Sequence, residues 1–240
     1  MTTAVFEALL QAAAVQLACV TAQPRDEAEW LLAELLGVDR SHLRRIEQPL
    51  TATQQQRFAE WLQRRVGGEP FAYVTGTQPF RRLVVQVNPD VLVPRADTEH
   101  LVMWALQVLA TGPKPARVLD ACTGSGCVAL AMADEAPGHE IWASDCSPAA
   151  LAVAKANAAR LQLPLNCFHA DGLSLPSSAM RFTMCGQVTT QRPTMKKVAL
   201  MLRCFSIANF CGRKSCALNF WGDFRSVEFC FKICQFLDSI

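Results

Sequence analysis

Residues 120–126 read Asp-Ala-Cys-Thr-Gly-Ser-Gly, and of all stretches in the chain this one most clearly implies chemistry. Gly124 and Gly126 permit a tight turn and let a ligand come close to backbone amides. Gly124-Ser-Gly-Cys-Val-Ala129 also satisfies the Gly-x-Gly-x-x-Gly/Ala pattern of dinucleotide binders. Asp120 points elsewhere. A carboxylate four residues before Gly124 would repel a pyrophosphate, yet it would favour the α-ammonium of S-adenosyl-L-methionine (SAM). Asp145 ends the next expected strand, where a carboxylate can accept both ribose hydroxyls. That role fits either nucleoside cofactor. Asp171 follows a third expected strand, where an acid can accept from an adenine amino group. Together the three acids would line the carboxyl edge of one sheet, the place where open α/β folds bind ligands.

The elements that must position these groups follow from periodicity. Strands are expected at 117–120, 140–144 and 166–170, with helices at 126–135 and 148–161 between them. Such alternation implies parallel pairing in a doubly wound sheet. Upstream, residues 4–66 read as helical. Apolar residues recur at helical spacing in Val5, Leu9, Leu10 and Ala13, and again in Ala28, Leu31, Leu32, Leu35 and Leu36. Pro24 can start a helix, Gly37 can end one, and Thr51 or Thr53 can cap a third through Phe58, Trp61 and Leu62. From 79 to 93, Val85, Val87, Val91 and Val93 alternate around Asn88-Pro-Asp90, which predicts a β-hairpin turning there. A further helix is expected over 97–109.

Composition bounds the class. The chain has 240 residues, 51% hydrophobic and 18% charged, which excludes global disorder. The net charge of +2 hides a split. Residues 181–240 hold nine basic and three acidic residues, against 14 and 18 before them. Neither a secretory leader nor an apolar run long enough to span a membrane is read in the sequence. A reduced, cytoplasmic protein with free thiols is the expectation.

Several motifs then resemble one family. Pro94-Arg-Ala-Asp-Thr-Glu99 is similar to the Pro-Arg-Pro-Asp-Thr-Glu signature of the PrmC/HemK methyltransferases, with Ala96 in place of the second proline. The 120–126 loop resembles that family's first SAM motif. Gly68-Glu-Pro-Phe-Ala-Tyr-Val-Thr-Gly76 and Arg25-Asp-Glu-Ala-Glu-Trp-Leu-Leu32 are similar to stretches of its N-terminal domain. The resemblance implies an α/β fold in which a small N-terminal helical domain and a β-hairpin linker precede a truncated class I SAM-methyltransferase, Rossmann-like sheet. It implies a helical release-factor-binding domain at 1–78, the linker at 79–93, a partial methyltransferase domain at 94–178 and an unmatched tail at 179–240. By the same resemblance Cys122, Thr123, Gly124, Ser125 and Gly126 line the methionine end of SAM, Asp145 the ribose, and Asp171 with Gly172 the adenine side. Arg95 and Glu99 lie on the substrate side. The implied reaction methylates the side-chain amide nitrogen of the Gln in the Gly-Gly-Gln tripeptide of class I peptide-chain release factors. The implied protein is a monomer without membrane or direct nucleic-acid partners and without a metal.

One signature is missing. The family's Asn-Pro-Pro-Tyr orients the substrate amide, whose delocalised lone pair makes it a poor nucleophile, so catalysis there is mostly positioning. No Asn-Pro-Pro-Tyr occurs in the sequence, and residues 179–188 read Ala-Met-Arg-Phe-Thr-Met-Cys-Gly-Gln-Val where it is expected. No catalytic residue is therefore assigned, and the chain is expected to be inactive as written. The alternative is a noncatalytic module that binds SAM or a release factor. Style also breaks near residue 178: eight of the 13 Phe and six of the 11 Cys lie beyond it. Only three strands are legible before the break, which leaves the first strand with one open edge. Out-of-frame sequence is the expected origin of the tail. An accessory module with metal or nucleic-acid contacts is the competing reading, but the cysteine spacings fit no zinc pattern.

Overall fold

The computed structural model describes residues 4–112, 114–170 and 199–203. They fall into two compact units, one built from 1–78 with 86–93 and the other from 79–85 with the chain from 94 onward.

The first unit is helical. Helices α1 (Ala4–Leu17), α2 (Pro24–Leu36) and α3 (Ala52–Val66) bury one stripe each, and a 3-10 helix (Arg40–Arg45) joins the second to the third. Phe6, Leu10, Leu17, Leu31, Leu32, Phe58 and Trp61 form the shared core. Burying such side chains stabilises by about 1.5–3 kcal/mol each. Pro24 sits in the first turn of α2, and Gly37 ends it in the left-handed region at φ 64°. Thr51 caps α3 in a reciprocal capping box with Gln54.

The Gly-Glu-Pro stretch closes this unit. Glu69 pairs with Arg64, whose Nη2 donates to the Tyr73 carbonyl at 2.9 Å and whose Nη1 donates to that of Val74 at 3.2 Å. Those carbonyls lie near the end of the short helix α4 (Phe71–Thr75) and would otherwise lack partners. Tyr73, the only tyrosine in the chain, donates its hydroxyl to the Val91 carbonyl at 2.7 Å.

The hairpin lies earlier than the valine alternation implies. Strands β1 (Thr77–Phe80) and β2 (Leu83–Gln86) pair across Arg81 and Arg82. Asn88-Pro-Asp90 does form a turn: Asn88 Oδ1 accepts from the Asp90 amide at 3.1 Å, and Val91 N–H donates to the Asn88 carbonyl at 3.1 Å. No strand pairs across it among the described residues. The signal was hidden because the real turn carries Arg81 at φ 53°, a conformation usually read from Gly or Asn.

The second unit is α/β. Helix α5 (Asp97–Thr111) precedes strand β3 (Arg117–Ala121), helix α6 (Cys127–Glu135), strand β4 (Glu140–Asp145), helix α7 (Pro148–Leu161) and strand β5 (Asn166–His169). A fourth strand of this sheet, β6 (Ala199–Arg203), corrects the three-strand expectation. All pair in parallel in the order β5-β4-β3-β6, with Arg117 to Ala121 in register with Ala199 to Arg203. The tail therefore supplies the neighbour of the first strand. A short apolar run such as Ala199-Leu-Met-Leu202 suits a buried parallel strand but carries no period that distinguishes it from helix.

β3 has β4 on one side and β6 on the other, so successive connections leave it in opposite directions. That order makes β3 a topological switch point, the place at the carboxyl ends of the strands where open α/β sheets generally bind ligands.

Candidate functional site

The loop from Cys122 to Gly126 leaves the carboxyl end of β3 and opens α6. Its backbone takes three left-handed turns, with φ of 61° at Cys122, 55° at Gly124 and 81° at Gly126. The two glycines do different work. A Cβ on Gly126 would lie 3.1 Å from Ala154 Cβ and 3.3 Å from Leu130 Cδ1, so this glycine lets α6 and α7 pack closely. A Cβ on Gly124 would meet nothing within 4 Å, which leaves open space beside the loop.

Two carboxylates hold the loop. Asp145 Oδ2 accepts the Gly124 amide at 2.9 Å and Oδ1 accepts the Ser147 amide at 2.9 Å. A carboxylate has about four acceptor positions, so each of these oxygens can still accept a ligand hydroxyl. The backbone helps as well: Thr123 N–H donates to the Ser144 carbonyl at 2.9 Å, and Ala170 N–H to the Asp145 carbonyl at 3.1 Å.

Asp120 works from beneath. Its Oδ2 accepts the Thr123 hydroxyl at 2.6 Å and the Ala129 amide at 3.3 Å. The residue is 1% exposed, and Oδ1 has no hydrogen-bond partner among the described residues. Burial pushes its carboxyl up to about 7, against the lowering effect of those two donors. Bracing the loop is the work its contacts do; only Oδ1 is left for an ammonium.

Of the acids expected at three strand ends, Asp120 and Asp145 thus converge on adjacent loop residues, Thr123 and Gly124. Asp171 and Gly172 lie outside the described residues. Arg95 is exposed just before α5. Glu99, expected on the substrate side, has Oε1 committed to the Arg81 amide at 3.0 Å.

One residue that holds the loop escaped sequence reasoning. Asn157 is fully buried on α7 and its Nδ2 donates to the Ser125 carbonyl at 3.0 Å. Its signal was a lone amide on the inner face of an alanine-rich helix, a position that demands a partner. Among the described residues no group of His, Cys, Asp or Glu could hold a metal, and no helix is long and apolar enough to cross a membrane. The polar groups at the loop include two carboxylates that accept hydrogen bonds, a set suited to a hydroxylated, positively charged nucleoside rather than to a polyphosphate.

Two family models match the chain. Residues 8–76 match the PrmC N-terminal domain, and residues 118–204 match a methyltransferase domain. The second match extends past residue 178 to residue 204. The release factor glutamine methyltransferase of Koribacter versatilis is 43% identical over 167 residues, covering 68% of this chain and 59% of its own. That of Salmonella typhimurium is 46% identical over 141 residues, covering 58% and 50%. The chain thus spans about half to three-fifths of the length of these curated relatives. Among solved structures, the SAM-dependent methyltransferase from Agrobacterium tumefaciens overlaps 38% of this chain and 31% of its own, at 20% identity and a TM-score of 0.31. The family resemblance drawn from the motifs is borne out by the domain and sequence matches.

Proposed function

For a chain that joins a PrmC N-terminal domain to a methyltransferase domain, we propose that the 120–126 loop holds SAM and that the helical unit engages a class I peptide-chain release factor. The Gly124 amide bound to Asp145 carries this reading, because it sets a carboxylate with spare acceptor positions against a loop with open space beside it. Cys122, Thr123, Gly124, Ser125 and Gly126 would surround the methionine end. Asp145 would accept the ribose hydroxyls, Asp171 and Gly172 would meet the adenine, and Arg95 and Glu99 would border the substrate.

Bound SAM supplies an electrophilic methyl group on a sulfonium sulfur. In the family's reaction the S–C bond breaks, an N–C bond forms on the Gln side-chain amide, and that nitrogen gives up a proton. Orienting the amide is the task of Asn-Pro-Pro-Tyr, which this sequence does not contain. The proposal is therefore binding without efficient transfer, by a cytoplasmic monomer. A module that only binds SAM or a release factor is the second reading, and the missing motif favours it.

The test uses the full 240-residue chain. Calorimetric titration should show binding of SAM and S-adenosylhomocysteine (SAH) and weaker binding of NAD. Incubation with methyl-labelled SAM and a release factor should leave the Gln unlabelled. Label on that Gln would overturn the inactive reading, and tighter binding of NAD would overturn the cofactor reading.

A further inference from the structure

Arg81 occupies the hairpin turn in a left-handed conformation that costs a residue with a Cβ and persists where surroundings enforce it. Two acids enforce it. Glu99 Oε1 accepts the Arg81 amide at 3.0 Å. Glu135 takes the guanidinium in a two-pronged pair, through Nε and through Nη2 at 2.6 Å. The Glu135 side chain is 6% exposed and that of Arg81 17%, so solvent screens this pair less than a surface one.

The position of Glu135 gives the pair its meaning. It is the last residue of α6, and the first residue of that helix follows the glycine loop. A carboxylate at a helix C-terminus opposes the helix dipole. α6 has no basic residue in its own last turn. Arg81 brings the missing cation from another element, and Arg82 lies 4.0 Å from the same carboxylate. A third tie runs from Arg160 on α7 to the Val84 carbonyl on β2. The hairpin is thereby held against residues of α5, α6 and α7, the last two being the helices that meet at Gly126.

We propose that Arg81 is a positioning residue for the glycine loop: it anchors α6 at its C-terminal end while Glu99 fixes Arg81 itself. α6 acts as the rigid element between anchor and loop. The inference deepens the cofactor reading and rests on it only for the ligand.

The experiment compares the full chain with Arg81→Gly, Arg81→Lys and Leu109→Ala. Arg81→Gly keeps the amide for Glu99 and removes the guanidinium without adding backbone strain. Leu109→Ala truncates a buried side chain of α5 and lowers stability while keeping Arg81, Glu99 and Glu135 themselves. Hydrogen exchange of residues 122–126 and the Kd for SAH are read in each. Arg81→Gly is expected to speed loop exchange and weaken SAH several-fold, Arg81→Lys to recover part of both, and Leu109→Ala to leave both near wild type. Unchanged loop exchange in Arg81→Gly, or an equal change in Leu109→Ala, overturns the proposal. If SAH binds no variant while loop exchange still follows Arg81, the anchor stands and the cofactor reading falls.

Discussion

Single residues around the loop make separable predictions. Asp120 has its carboxyl raised to about 7 by burial, above its unfolded value. The folded state then binds more protons than the unfolded state between these values. Its contribution to stability is full below the unfolded pKa and is lost as pH rises through about 7. His139 opposes it: burial and Lys114 push its pKa down, so its contribution improves as pH rises towards its unfolded value. The difference between wild type and Asp120→Asn isolates the carboxyl. Urea titrations from pH 4.5 to 7.5 should show wild type losing stability relative to Asp120→Asn, and a constant difference would contradict the assignment. Gly126→Ala combines a left-handed backbone with a 3.1 Å approach to Ala154, and should cost roughly 2–4 kcal/mol by chemical denaturation. Asp145→Ala removes an acceptor proposed for two ribose hydroxyls and should weaken SAM roughly 10- to 100-fold. These roles were partly legible. Acids at strand ends announced Asp145, whereas nothing in the spacing showed that Asp120 turns inward to Thr123 and Ala129.

Among elements, legibility tracked the strength of the local signal. The helix over Ala52–Val66 was readable because its cap and its apolar stripe agree. Thr51→Ala should cost about 1 kcal/mol in the helical unit, measured by denaturant unfolding monitored by circular dichroism. The strand and helix bounds from Arg117 to His169 were likewise close, since Gly, Pro and Ser punctuate a regular alternation. Two elements failed for physical reasons. The hairpin turns at Arg81, where tertiary contacts from Glu99 and Glu135 replace the usual turn residues. β6 is recognisable only through its parallel pairing with β3, a contact between segments far apart in sequence.

For the whole molecule, the family resemblance has a match in each unit, and part of the tail takes part in the sheet. Residues 199–203 complete the second side of β3, and the methyltransferase match runs to residue 204. A break in the reading frame, if it underlies the missing Asn-Pro-Pro-Tyr, should show as that motif in a neighbouring frame of the encoding nucleotide sequence. The central claim concerns the cofactor cradle, and its most direct test is calorimetric titration of the 240-residue chain with SAM, with Asp145→Ala and NAD as comparisons. The account predicts saturable SAM binding that Asp145→Ala weakens and that NAD does not match. Absence of SAM binding by the folded chain, or tighter binding of NAD, would contradict it.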